Sequence, residues 1–303
     1  MFSIAHVTDA HLPPMPDFKR RDWSIKRILG YLSWHRNRKT RHSADVLKIL
    51  KADLAMFAPD HIAVTGDQTN IALDAEYQAA ALWMKDLGGA QSVTAIPGNH
   101  DAYRPDHDAA FQAHWADYAR DDQTSPMAFP FVRKRGNIAF IGVNSAIQTP
   151  PFMAWGKVGA DQLARLDVVL KALEKEGLAR IVLIHHPPHE NATAYRRSLL
   201  DAADFRGVIE RAGAELILHG HLHKSVKASI KGPQGPVPVR GAGAASSNGQ
   251  GHIPPAHYHM IKVAEMPQSW QIQIDHRQID TARRVFATTD EEILNLPKPV
   301  ISG

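Results

Sequence analysis

Seven side chains able to hold metal ions recur in short clusters along this chain: Asp9, His11, Asp67, Asn99, His185, His221 and His223. They occur in the stretches Asp9-Ala10-His11, Gly66-Asp67, Gly98-Asn99-His100-Asp101, His185-His186-Pro187 and Gly220-His221-Leu222-His223. Carboxylate oxygen and imidazole nitrogen suit hard or borderline divalent ions. Seven such groups exceed one ordinary coordination sphere. They suit two ions that share a carboxylate, the clamp used in hydrolytic phosphoryl transfer.

Residues this far apart need a scaffold that gathers them. Each cluster follows an apolar run: residues 2–7, 62–64, 92–96, 181–184 and 216–218. Runs of this length bounded by Gly, Pro or Asp read as buried strands. Ligands of open α/β sheets lie outside the carboxyl ends of the strands, so five strand ends would share one rim. Helices are predicted over 43–58, 74–87, 106–119, 160–176 and 201–212. Ser43 is the expected N-cap of the first, and Pro59 ends it. An antiparallel pair is expected over 129–135 and 137–143. Short strands follow over 225–230, 237–240, 258–263 and 270–275. The tail after Thr281 shows no clear period. One domain over 1–281 and a surface extension over 282–303 are therefore expected.

In order and spacing the five blocks resemble the signature of the calcineurin-like metallophosphoesterase superfamily: D-x-H, G-D, G-N-H-[DE], H and G-H-x-H. Here they span residues 9 to 223. The resemblance implies a four-layer α/β/β/α sandwich, two mixed sheets flanked by helices, with a dinuclear metal site at the strand ends. It implies that Asp9, His11, Asp67 and His223 hold one ion, and that Asn99, His185 and His221 complete the second, with Asp67 bridging. The cofactors would be two divalent ions, Mn, Fe or Zn. His185 is preferred to His186, which becomes an outer or substrate contact. His100 would contact the phosphate and help the leaving group depart, with Asp101 orienting its imidazole. The implied reaction is phosphodiester hydrolysis by a metal-bridging hydroxide, as in the small bacterial phosphodiesterase branch.

The remaining histidines, His6, His35, His42, His61, His107, His114, His189, His219, His252, His257, His259 and His276, belong to no motif. They read as surface or satisfied core residues. A hydrophobic content of 44% among 303 residues supports a sizeable core, and the absence of cysteine excludes disulfides and thiolate metal sites. No leader and no long apolar run precede the first motif, which points to a cytoplasmic protein.

One segment departs from the rest. Residues 18–42 hold nine Lys or Arg and one acid, Asp22, leaving 26 basic against 30 acidic residues elsewhere. This segment therefore supplies the net charge of +4. It lies within an insertion expected over 15–42. Ile25, Ile28, Leu29 and Leu32 fall at helical spacing. Three roles fit: a basic amphipathic helix on the anionic inner face of a membrane, a basic lid drawing anionic substrate to the metals, or a helix packed on the core. The partner is accordingly a soluble phosphoester or a lipid nucleotide. Nothing resembles a base-reading module, which argues against nucleic acid. Two alternatives share the motifs: a membrane-associated pyrophosphatase of the UDP-2,3-diacylglucosamine type, and a catalytically silent scaffold on the same fold. Oligomeric state is not legible in the sequence.

Overall fold

The computed structural model describes residues 1–122, 128–250 and 253–298. Strand β1 (Phe2–Val7) opens the chain, and the insertion that follows carries helix α1 (Ile25–Ser33) and a π-helical turn over Trp34–Arg38. Helix α2 (Ala44–Phe57) begins where expected, with Ser43 Oγ accepting the Val46 N–H. It buries Val46, Leu47, Leu50 and Leu54 along one stripe. It ends at Ala58 in the left-handed region (φ 43°), just before Pro59. Strand β2 (His61–Thr65), helix α3 (Asp74–Leu87), strand β3 (Val93–Ile96) and helix α4 (His107–Trp115) complete the first half.

Next come the hairpin β4 (Phe131–Arg135) and β5 (Ile138–Gly142), then α5 (Ala160–Lys175), β6 (Ala179–Leu183), α6 (Ala202–Ala212) and β7 (Leu216–His219). The chain finishes on strands β8 (Val226–Gly232), β9 (Gly235–Gly241), β10 (His257–Glu265), β11 (Ser269–Asp280) and β12 (Val285–Pro297). One sheet runs β12-β11-β10-β1-β2-β3 and the other β4-β5-β6-β7-β9-β8. Strands β1 to β3 are mutually parallel, as are β5, β6, β7 and β9, whereas β1–β10, β10–β11, β11–β12, β4–β5 and β8–β9 pair antiparallel.

Both sheets are mixed and face each other. Ile4 of β1 pairs with Ile261 of β10, which pairs with Ile274 of β11, placing three isoleucines on one face. On the same face His61, opposite Ile4, stacks on Phe140 of the second sheet at 4.2 Å between ring centres. Outside the first sheet, Tyr258 of β10 bonds Asp53 of α2. Outside the second, Leu163, Leu166 and Leu170 of α5 and Phe205 and Ile209 of α6 pack against Ile141, Val182 and Ile217. The expected four-layer sandwich is therefore the observed architecture.

The tail differs from expectation. The surface extension expected over 282–303 carries a strand: β12 pairs along β11 from Val285 to Pro297, across an irregularity at His276/Arg277. Its period is masked by the run Thr288-Thr289-Asp290-Glu291-Glu292, since edge strands carry charge that blocks further pairing. His252 lies outside the described residues.

Candidate metal centre

The expected ligands all emerge just beyond strand ends: Asp9 and His11 after β1, Asp67 after β2, Asn99 after β3, His185 after β6, and His221 and His223 after β7. Five have left-handed backbone: Asp9 (φ 52°), His11 (38°), Asp67 (55°), His221 (71°) and His223 (54°). For non-glycine residues this costs on the order of 1–3 kcal/mol each and persists only where the surroundings enforce it. Here backbone bonds from Asp9 N to Gly66 O (3.0 Å) and His11 N to Asp67 O (3.0 Å) tie the first two loops together. Gly66 (φ 94°) must be glycine, because a Cβ there would stand 2.6 Å from both Gly98 N and His185 Nδ1.

The side chains form two adjoining groups. Ligand atoms of Asp9, His11, Asp67 and His223 lie within 4.8 Å of one another, and so do those of Asp67, His185 and His221. Asn99 Oδ1 joins the second group at 3.2 Å from His185 Nε2 and 2.7 Å from His221 Nδ1. Asp67 belongs to both: its Oδ2 is 3.9 Å from His11 Nε2 and 3.4 Å from His185 Nε2.

Tautomers sharpen the picture. Nδ1–H of His11 donates to Thr69 O (3.0 Å), Nδ1–H of His185 to Thr65 O (2.7 Å), and Nε2–H of His221 to Arg197 O (2.9 Å). Each opposite nitrogen therefore presents a lone pair inward. His221 Nδ1 faces the Asn99 carbonyl oxygen, one acceptor against another, and buried Asp9 Oδ1, which makes no hydrogen bond among the described residues, has His223 Nε2 3.1 Å away. Converging lone pairs need a cation, so this mixed oxygen and nitrogen donor set fits divalent ions. Without metal, protons are the substitute. Burial opposes charge on His185, but Asp67 beside it lifts its pKa to about 9. Burial would raise the Asp67 pKa, yet His185, His100 and His11 hold it well below the ordinary carboxylate value.

His100 and Asp101 part company. Asp101 does not orient the His100 ring. Its buried carboxylate accepts N–H groups of Asp67 (2.8 Å), Gly98 (2.8 Å) and Thr69 (2.9 Å), and the Thr69 hydroxyl (2.9 Å). These loops leave unpaired amides that one carboxylate can satisfy, so Asp101 organises backbone instead. Burial and the neighbouring Asp67 push its pKa up to about 7 against those donors. The His100 ring is held by Asn70 O at Nδ1 (2.7 Å), stacks on Tyr103, and has Arg38 Nη1 3.1 Å from both ring nitrogens.

The site contains residues that sequence reasoning passed over. Arg38 and Lys26 come from the insertion, which docks on the rim: Lys26 bonds Thr149 and lies over the Tyr103 ring, and Arg27 holds the carbonyls of Ile71 and Ala72. His42, expected to be an ordinary histidine, is buried with its ring 4.7 Å from that of His11. Its Nδ1 contacts Ser246 Oγ (2.7 Å), and its Nε2 has no partner among the described residues. No spacing rule marks these three; only the charge of the segment hinted at them. His186 is also buried. Its Nδ1 contacts Ser145 Oγ (2.8 Å), and its ring lies 4.6 Å from that of His221, outside the two ligand groups.

No helix among the described residues is long and apolar enough to cross a membrane. The family profile described as calcineurin-like phosphoesterase matches residues 2–225. No curated protein matches the chain. Among solved structures, a dimetal phosphatase from Danio rerio is similar, with a TM-score of 0.62 and 13% identity over 98% of this chain and 99% of that one. The purple acid phosphatase PPD1 from yellow lupin (Lupinus luteus) seeds superposes with a TM-score of 0.59 and 10% identity. There the match covers 97% of this chain and 53% of the lupin chain. At such identities the likeness speaks for the fold alone.

Proposed function

Because the chain belongs to the calcineurin-like phosphoesterase family, whose members are metal-dependent hydrolases of phosphoric esters, we propose that it cleaves phosphodiesters at this rim. One ion would be held by Asp9, His11, Asp67 and His223, and a second by Asp67, Asn99, His185 and His221. The observation that carries this assignment is Asp67 Oδ2, which faces both groups at once. When bound, the two ions would polarise the phosphoryl group and lower the pKa of a water.

The protein's own groups do the rest. Arg38 pairs with a phosphate oxygen, the charge-assisted contact that guanidinium makes best. His100, fixed by Asn70 and Tyr103, meets the leaving oxygen. Lys26 adds positive charge at the approach. The insertion thus acts as a basic lid whose inner face belongs to the site. The test compares bis(p-nitrophenyl) phosphate with p-nitrophenyl phosphate under added Mn²⁺. Faster turnover of the diester supports the proposal, and faster turnover of the monoester contradicts it. Inactivity on both across several metals favours a silent scaffold.

A second reading has its own observation. Outside the lid, Trp23, Ile25 and Leu32 are exposed by 55%, 74% and 44%, beside exposed Arg20 and Arg21. Such a surface suits anionic lipid, and an acylated sugar nucleotide would then be the substrate at the inner membrane face. Co-sedimentation with phosphatidylglycerol vesicles, together with hydrolysis of acylated UDP-sugars, would support it. A chain that stays in the supernatant would exclude it.

A further inference from the structure

A second cluster of histidines lies between the sheets, away from the motifs. Register places His6 of β1 opposite His259 of β10, and His259 opposite His276 of β11. His257 stands two residues from His259 on the same face. All four are buried. One ring nitrogen from each of His257, His259 and His276 lies within 4.8 Å of the other two. The rings meet at 4.8 Å (His257–His259), 4.7 Å (His259–His276) and 5.6 Å (His257–His276) between centres.

The outer nitrogens are held in the manner of metal ligands. His259 Nδ1 lies 3.1 Å from His6 Nδ1, and His6 Nε2 lies 2.8 Å from Thr65 Oγ1. Protons placed on His259 Nδ1 and His6 Nε2 satisfy that chain and leave His259 Nε2 as a lone pair. His276 Nε2 is 3.1 Å from Glu292 Oε1, the carboxylate-behind-histidine arrangement that orients metal ligands. Arg240 pairs with the same carboxylate (2.6 and 2.8 Å). Nε2 of His257 and of His259 are buried with no hydrogen-bond partner among the described residues. Burial holds His257 and His259 neutral, the form that ligates.

We propose that His257, His259 and His276 bind a borderline divalent transition ion such as Zn²⁺, at a site separate from the rim. An all-imidazole set favours zinc, copper or nickel over manganese or magnesium. Tetrahedral bonds of about 2.0–2.1 Å set nitrogens roughly 3.3 Å apart, so the rings would close inward on the ion. His257 would carry its proton on Nδ1 and give up the long bond it accepts from Gly243 N (3.3 Å). The ion would fasten β10 to β11 and, through Glu292, to the edge strand β12.

The test counts bound zinc in the full chain, stripped with chelator, reloaded with Zn²⁺ and desalted. His259→Phe should hold one equivalent less than the parent, and zinc should raise the parent's melting temperature more than the variant's. Equal zinc counts in parent and variant overturn the proposal. Should His259→Phe fail to fold, His276→Gln, which keeps a partner for Glu292, must show the same one-equivalent loss, and an unchanged count there is equally fatal. The difference between parent and variant is independent of the rim. If the rim held fewer than two ions, both counts would fall together.

Discussion

At the rim, imidazoles face carboxylates across left-handed turns; between the sheets, imidazoles face imidazoles across paired strands. The two regions meet at Thr65, whose carbonyl accepts from His185 while its hydroxyl contacts His6. The difference lies in charge. Asp9 and Asp67 bring anions to the rim, enough to lift His185 to about 9, whereas burial without a carboxylate in contact pulls His257 down to about 3. The rim is therefore suited to hard or mixed-ligand ions and to charged chemistry. The inner row is suited to neutral ligation.

The strongest way to break this contrast is at the shared carboxylate. Asp67→Asn removes charge facing both ligand groups. Residues behind metal ligands are typically worth about 10–100-fold, so this residue should cost more than about 100-fold in turnover of bis(p-nitrophenyl) phosphate. A loss within tenfold would mean that Asp67 does not bridge. Next comes Arg38→Ala. A hydrogen bond to a charged group is worth about 1.5–3 kcal/mol, so kcat/KM should fall by roughly 10–100-fold with bound manganese unchanged. Loss of metal instead would make Arg38 a structural support for the rim.

The row has its own signature, in stability. The folded pKa of His257 lies below its unfolded value, so its contribution is complete above about pH 6.5 and is lost as pH falls toward 3. In chelator-stripped protein, His257→Leu should lose about 3 kcal/mol less than the parent between pH 7 and pH 4, read by urea unfolding. Equal losses would show that His257 is already solvated or charged in the fold. The smallest effect belongs to the lid. Burial lowers Lys26 to about 8, with Asp67 opposing. Above that pH its charge fades, and KM for an anionic diester should rise several-fold. Lys26→Arg should keep KM flat to higher pH, and a rise that persists in Lys26→Arg would assign it to another group.

The legibility of the two regions follows the same division. Rim ligands directly follow strands, so local patterns of apolar run, turn and ligand revealed the sheet order's working end. They also gave α3 at Asp74–Leu87 as observed. The row depends on register between β1, β10 and β11, which sets His6 in line with His259 and His276 from the far end of the chain, and alternation at His257 and His259 alone does not reveal what stands opposite. Arg38 and His42 were hidden for a similar reason: docking of the insertion, not spacing, brings them to the candidate ligands. Adjacency of Asp101 to His100 suggests pairing, whereas in the fold the loop amides of Asp67, Gly98 and Thr69 claim its carboxylate. Edge strand β12 was lost behind its acidic run.

On the proposal above, the rim gathers two ions around one carboxylate. Anomalous diffraction at the manganese edge, from crystals of the full chain soaked in Mn²⁺, tests it most directly. Two peaks about 3.5–4 Å apart, flanking Asp67, are predicted. A single peak, or peaks away from Asp67, would contradict it.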